Sequence, residues 1–178
     1  MFEAIVIVAV VIAIAIAAVL ILALNKPDTF RMQRVATVRA PAERIFSLLS
    51  DFHQWGAWSP WEHRDPAMKR SYSGAASGVG AVYAWEGNKQ VGRGRMEIVE
   101  ASAPSKIIIK LDFLAPFEAH NTAEFTMRPQ GDATEVSWLM HGPASLMSKV
   151  MQVFFSMDKM VGKDFEAGLA NLKRATEK

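Results

Sequence analysis

Residues 119–141, AHNTAEFTMRPQGDATEVSWLMH, carry the pattern that decides the fold. Ala123, Phe125 and Met127 alternate with Glu124, Thr126 and Arg128. Gly131-Asp132 then marks a turn, and Val136, Trp138 and Met140 resume on a single face. A period of two sends successive side chains to opposite faces of a strand, so each run has one apolar and one polar face. Two such runs joined by a glycine-containing turn predict antiparallel strands with one face buried and one solvated.

The same period extends upstream as far as Lys69. Val79, Ala81, Tyr83 and Trp85 share a face before a turn at Glu86-Gly87-Asn88. Gln90 to Val99 follow, with Met96 and Ile98 opposite Arg93, Arg95 and Glu97, and Lys106 to Phe113 form a further strand. Phe30 to Ala40 read as a first strand through Met32, Arg34, Ala36 and Val38. Pro41 then opens a helix whose apolar face is Ile45, Phe46, Leu48 and Leu49. Downstream, Leu146, Met147, Val150, Met151 and Phe154 recur at helical spacing. Met157, Met160, Val161, Phe165, Leu169 and Leu172 continue them, with Asp158 expected to cap a second helix. The order is strand, helix, about six strands and a long C-terminal helix, an α+β arrangement of a curved antiparallel sheet against one helix.

The N-terminus is of a different kind. From Ala4 to Leu24 every residue is Ala, Val, Ile or Leu. As a helix these 21 residues span about 31 Å, close to the hydrocarbon thickness of a bilayer. The 14 Ile, Val and Leu residues favour insertion by about 4 to 8 kcal/mol. A cleaved signal peptide ending near Ala15-Ile16-Ala17 fits less well, because no basic residue precedes the run and the run is too long. Residues 1–26 are therefore expected to be a single-pass membrane anchor, and 27–178 one domain. Lys26, Arg31, Arg34, Arg39 and Arg44 follow the span with no Lys or Arg before it, which predicts that the domain faces the cytoplasm.

Beyond the span lie all 20 Lys and Arg and 17 of the 18 acids, a near balance that does not favour nucleic acid. No arginine-rich run with interleaved aromatics is present either. The chain has no cysteine, which rules out disulfides and thiol catalysis.

The stretches VATVRAPAERIF (35–46), the cluster Trp55, Trp58, Ser59, Pro60, Trp61, GVGA (78–81) leading into Trp85-Glu86-Gly87, and GKDFEAGLANL (162–172) are similar to those of the START-like (SRPBCC) superfamily. Within it, they resemble the polyketide cyclase and lipid-transport branch. The resemblance covers roughly Arg34 to Lys173. It implies a helix-grip fold, in which a seven-stranded sheet wraps the C-terminal helix around a hydrophobic cavity. It transfers no catalytic residue.

The residues themselves offer few catalytic groups. None of His53, His63, His120 and His141 pairs with another at metal-binding spacing, so neither a metal nor a cofactor is expected. No nucleophile elbow or phosphate loop is present. Glu97, Asp112, Glu124 and Glu135 oppose apolar neighbours and read as a solvated face. Isolated acid–base work by His120, His141 or Glu97 is the remaining option, and none of the three is expected inside the cavity with a perturbed pKa. Two or more titratable side chains converging there would instead favour an enzyme.

Five tryptophans and ten methionines are the stronger hint. Core packing alone could employ them, but together they suit an adaptable apolar lining. The expected lining is Trp55, Trp58, Trp61, Tyr83, Trp85, Met96, Phe113, Phe125, Trp138, Met140, Met157, Val161 and Phe165. Leu146 to Phe155 is apolar nearly all round. Burial is the favoured reading for it, and a lid against the bilayer the alternative. The leading functional reading is a membrane-anchored protein that binds a lipid or other hydrophobic small molecule. The rivals are a cyclase, dehydratase or hydrolase on a hydrophobic substrate, and an accessory protein of a membrane enzyme whose cavity is filled by side chains; no protein partner is specified.

Overall fold

The computed structural model describes residues 1–177, with side chains at all of these except Met157, Lys159 and Met160. Helix α1 (Phe2–Leu24) is long and apolar enough to cross a membrane. Then come β1 (Thr29–Val38), α2 (Ala42–Ser50), two short 3-10 helices at Phe52–Ala57 and Pro60–His63, and strands β2 (Lys69–Gly74), β3 (Ala81–Glu86), β4 (Arg93–Ser102), β5 (Lys106–Ala115), β6 (Ala119–Gln130) and β7 (Ala133–Pro143). Helices α3 (Leu146–Phe154) and α4 (Met157–Thr176) close the chain.

The strands form one antiparallel sheet in the order β1-β7-β6-β5-β4-β3-β2, so the chain's first strand joins its last and the intervening ones follow as a meander. Phe125 lies opposite Trp138 and Met127 opposite Val136, which keeps the apolar residues of β6 and β7 on one face. This is the α+β helix-grip architecture, with α4 lying against β1.

Two glycines of α4 let it settle there. A Cβ at Gly168 would stand 2.7 Å from Trp138 Cζ3 and 3.3 Å from Pro60 Cδ, and one at Gly162 would overlap the Arg34 guanidinium. Arg34 thereby crosses α4 and pairs with Asp158 and Glu166, both at 2.8 Å. Asp158 lies in the first turn of α4 in that ion pair, not at the expected capping position.

Three local expectations are corrected. Val79 is exposed and precedes β3, because Gly78 and Gly80 both take positive φ and turn the chain before the ladder begins. Gln90 to Gly92 belong to the turn, closed by Gly87 N donating to Gly92 O, so β4 starts at Arg93 opposite Glu86. Residues 146–155 are not a buried segment. Leu146, Met147, Met151, Phe154 and Phe155 are exposed, and the buried side chain of α3 is Lys149, which pairs with Asp28. A helix at the edge of the domain can bury one side only, and α3 turns that side toward α1.

Candidate functional site

Between the sheet and the helices lies a cavity of about 830 Å³, in the range of sites that enclose drug-sized ligands. The inward residues of β3 to β7 supply much of its wall, since alternation brings Tyr83, Trp85, Met96, Leu111, Ala123, Trp138 and Met140 to one face. The 3-10 helices contribute Trp55 and Trp61, and α4 contributes Val161 and Phe165. Wall members that are also exposed mark the opening: Phe117 (67 %) between β5 and β6, and Met147, Met151 and Phe155 on or beside α3. Helix α3 packs along α1, so the α3 side of the opening lies next to the apolar N-terminal helix.

Of the residues expected to line a cavity, Trp55, Trp61, Tyr83, Trp85, Met96, Phe113, Trp138, Met140, Val161 and Phe165 do so. Trp58 and Phe125 do not. They are almost fully buried beneath the wall, their rings 5.8 Å apart and edge to face. Alternation indicates which strand face is inward but not how deep a side chain lies, and α2 and the 3-10 helices cover that part of the sheet. Met157 lies outside the described side chains. Trp138 is both wall and core, stacked on Phe165 at 4.0 Å and on Phe125 at 5.0 Å.

A polar cluster is built into this apolar wall. Glu62, only 8 % exposed, accepts the Tyr83 hydroxyl at 2.6 Å on Oε1 and Arg70 Nε at 2.7 Å on Oε2. Arg70 spends its other nitrogens on backbone carbonyls, Nη1 on Met68 O at 2.9 Å and Nη2 on Glu62 O at 2.7 Å. Burial and then the hydrogen bond to Glu62 push the Tyr83 phenol well above its ordinary pKa, so it stays protonated and acts as a donor. Arg70 is raised first by its hydrogen bond to Glu62. Arg64 and Asp164, also in the wall, form a second ion pair. Titratable groups thus converge in the cavity, a constellation that sequence reasoning missed. Glu62 lies in an aromatic-rich stretch without periodicity, 21 residues from Tyr83. The available signal was a lone acid between Trp61 and His63.

The acid–base candidates fall elsewhere. Glu97 and His141 are not in the wall, whereas His120, against expectation, stands at its rim with its side chain 58 % exposed. Asp112, expected to be solvated, is buried, because His120 from the neighbouring strand folds over it at 2.7 Å and Lys110 reaches it at 3.3 Å. Burial alone would raise Asp112, but hydrogen bonds from His120 and Lys110 hold it below the usual carboxylate value. His120 is raised, first by its hydrogen bond to Asp112. Among the described residues no group of three or more His, Asp or Glu could hold a metal.

Comparison with known proteins places these features in a family setting. Residues 29–177 match the family model described as polyketide cyclase / dehydrase and lipid transport. Among solved structures, the di-domain ARO/CYC protein BexL from the BE-7585A biosynthetic pathway aligns at TM-score 0.61 and 16% identity, covering 88% of this chain and 53% of BexL. A protein from Chromobacterium violaceum aligns at TM-score 0.58 and 15% identity over 85% of this chain and 99% of its own. The Aha1 dimer from Colwellia psychrerythraea aligns at TM-score 0.57 and 16% identity over 83% and 96%. At these identities the likeness is one of fold. No curated protein matches the sequence closely enough to carry an argument.

Proposed function

The chain belongs to the polyketide cyclase / dehydrase and lipid transport family, and on that premise we propose that it binds a lipid or other hydrophobic small molecule in the cavity while α1 anchors it to a membrane. The observation that carries the reading is the cavity of about 830 Å³, whose opening is ringed by exposed Phe117, Met147 and Phe155, the last two on or beside α3, which packs along α1. An apolar ring in water costs free energy that contact with acyl chains removes. A tether raises the concentration of a bilayer-dissolved ligand at that ring. In this reading residues 1–26 form the anchor, residues 27–178 the binding domain, and the basic flank after Leu24 keeps that domain in the cytoplasm.

The test is native mass spectrometry of the full chain released from membranes, with identification of what co-purifies. One apolar molecule per chain is expected. A chain that emerges empty from every mild extraction contradicts the reading.

The convergence of Glu62, Tyr83 and Arg70 favours a second reading, a cyclase, dehydratase or hydrolase acting on the bound molecule. Against it, Tyr83 is held protonated and Glu62 is already engaged by Arg70, whereas acid–base groups work best with pKa values near the operating pH. The two readings part on the bound molecule's identity. Under the enzyme reading the molecule recovered from Tyr83→Phe differs from that in the parent, in mass for a dehydration or hydrolysis and in chromatographic retention at equal mass for a cyclisation. Under the binding reading it is the same.

A further inference from the structure

We infer that the cavity selects neutral, hydroxyl-bearing apolar molecules, such as long-chain or polycyclic alcohols and phenols, over carboxylates and amines of the same size, with Glu62 and Tyr83 holding the hydroxyl. This inference rests on the ligand-binding reading above and names its ligand class.

What the cluster offers a ligand is set by the donors and acceptors that remain unused. Arg70 stands outside the cavity wall and each of its nitrogens is bonded there, to Glu62 Oε2, Glu62 O and Met68 O, so the guanidinium cannot reach an anionic ligand without abandoning them. Tyr83 donates its one hydroxyl hydrogen bond to Glu62 Oε1. A carboxylate oxygen accepts two hydrogen bonds and a phenol oxygen can accept one, so what this cluster still offers a ligand is acceptors only. The ligand must therefore donate.

Charge then separates the donors. Glu62 is already neutralised by Arg70, and an ammonium placed beside them would add an unbalanced charge in a dry apolar chamber. A carboxylate fares worse. It brings no proton, and the one arginine of the wall, Arg64, is already paired with Asp164. The histidine at the rim, His120, is itself engaged by Asp112 and Glu118. A hydroxyl donates without charge.

The experiment uses the full chain in phosphatidylcholine nanodiscs and three terminally brominated alkyl probes of equal length, an alcohol, a carboxylate and a primary amine, at a pH where the carboxylate is fully ionised. Bromine quenches tryptophan, and Trp55, Trp61, Trp85 and Trp138 all line the cavity. The alcohol is expected to saturate quenching at a concentration at least about tenfold below the other two, as the loss of one buried hydrogen bond requires. Glu62→Gln turns an amide N–H toward the ligand or Tyr83 and should shrink the preference over the carboxylate to within about threefold. Tyr83→Phe, which keeps the carboxylate, should retain that preference and weaken the alcohol, so the result does not depend on Glu62→Gln folding. Equal or tighter binding of the carboxylate, or tightest binding of the amine, overturns the inference and leaves the binding reading standing. Absence of saturable quenching by all three overturns both.

Discussion

His120 and Asp112 face each other across β5 and β6, and their ion pair gives the rim of the cavity a defined pH response. His120 is raised above its ordinary 6.5, so its contribution is full below that value and is lost as the pH rises through the raised one. Asp112 is held below its ordinary 3.8, so its contribution is present above that value and is lost as the pH falls through the lowered one. Between those limits both partners are charged. An NMR titration of His120 should show a midpoint above 6.5 that moves back toward it in Asp112→Asn; a parent midpoint at or below 6.5 would contradict the pair. The glycines of α4 make a second residue-scale prediction. Gly168→Ala drives a methyl into the Trp138 ring and Pro60, and overpacking of this kind costs about 1–3 kcal/mol. Gly162→Ala meets only the far end of the long Arg34 side chain, whose pairs with exposed Asp158 and Glu166 are worth little, and the gain in helix propensity, about 1 kcal/mol, offsets the displacement. Chemical denaturation should rank Gly168→Ala well below Gly162→Ala, and equal stabilities would be inconsistent with the close approach of Trp138 to α4. The two glycines stand out in the sequence as a motif, but what each accommodates is set by Trp138 and Arg34, which are distant in the chain.

At the level of elements, the strands were legible because period-two patterning reports a half-buried sheet directly, as in Ala123-Phe125-Met127 against Val136-Trp138-Met140. Helix α3 was not. Its apolar side chains lie nearly all round, a pattern shared by a buried helix and by one that meets an apolar surface, and periodicity cannot separate the two. Exposure of Leu146, Met147, Met151, Phe154 and Phe155 beside α1 rules out the first, and the second is the proposal to be tested. The chain has no cysteine, so a fluorophore can be placed at one chosen site. A label on Phe154→Cys should be quenched by lipids brominated high in the acyl chain, while one on Glu135→Cys, on the solvated face of β7, should not. Equal lack of quenching at both would place α3 in water.

For the whole molecule, the sheet and α4 bury their apolar faces against each other, and α1 touches the rest chiefly through α3. Removing residues 1–26 should therefore leave a domain that unfolds cooperatively, with Asp28 retained to pair Lys149. Loss of near-ultraviolet circular dichroism on truncation would mean that the anchor is part of the core. The cavity could be anticipated only from the resemblance of a few stretches to a family. Composition and spacing show a sheet and a helix, but whether aromatic side chains fill the space between them depends on depth, as the separation of buried Trp58 from wall-lining Trp85 illustrates. Entry of an apolar molecule into this space from the membrane can be followed by photo-crosslinking. The full chain in nanodiscs is exposed to a lipid analogue with a photoreactive acyl chain, and the labelled peptides are mapped. Labels on the inner wall, at Trp85, Met96 and Leu111, that disappear in the cavity-filling variant Ala123→Trp are the predicted result. Labels confined to α1 and α3, unchanged by that variant, would contradict it.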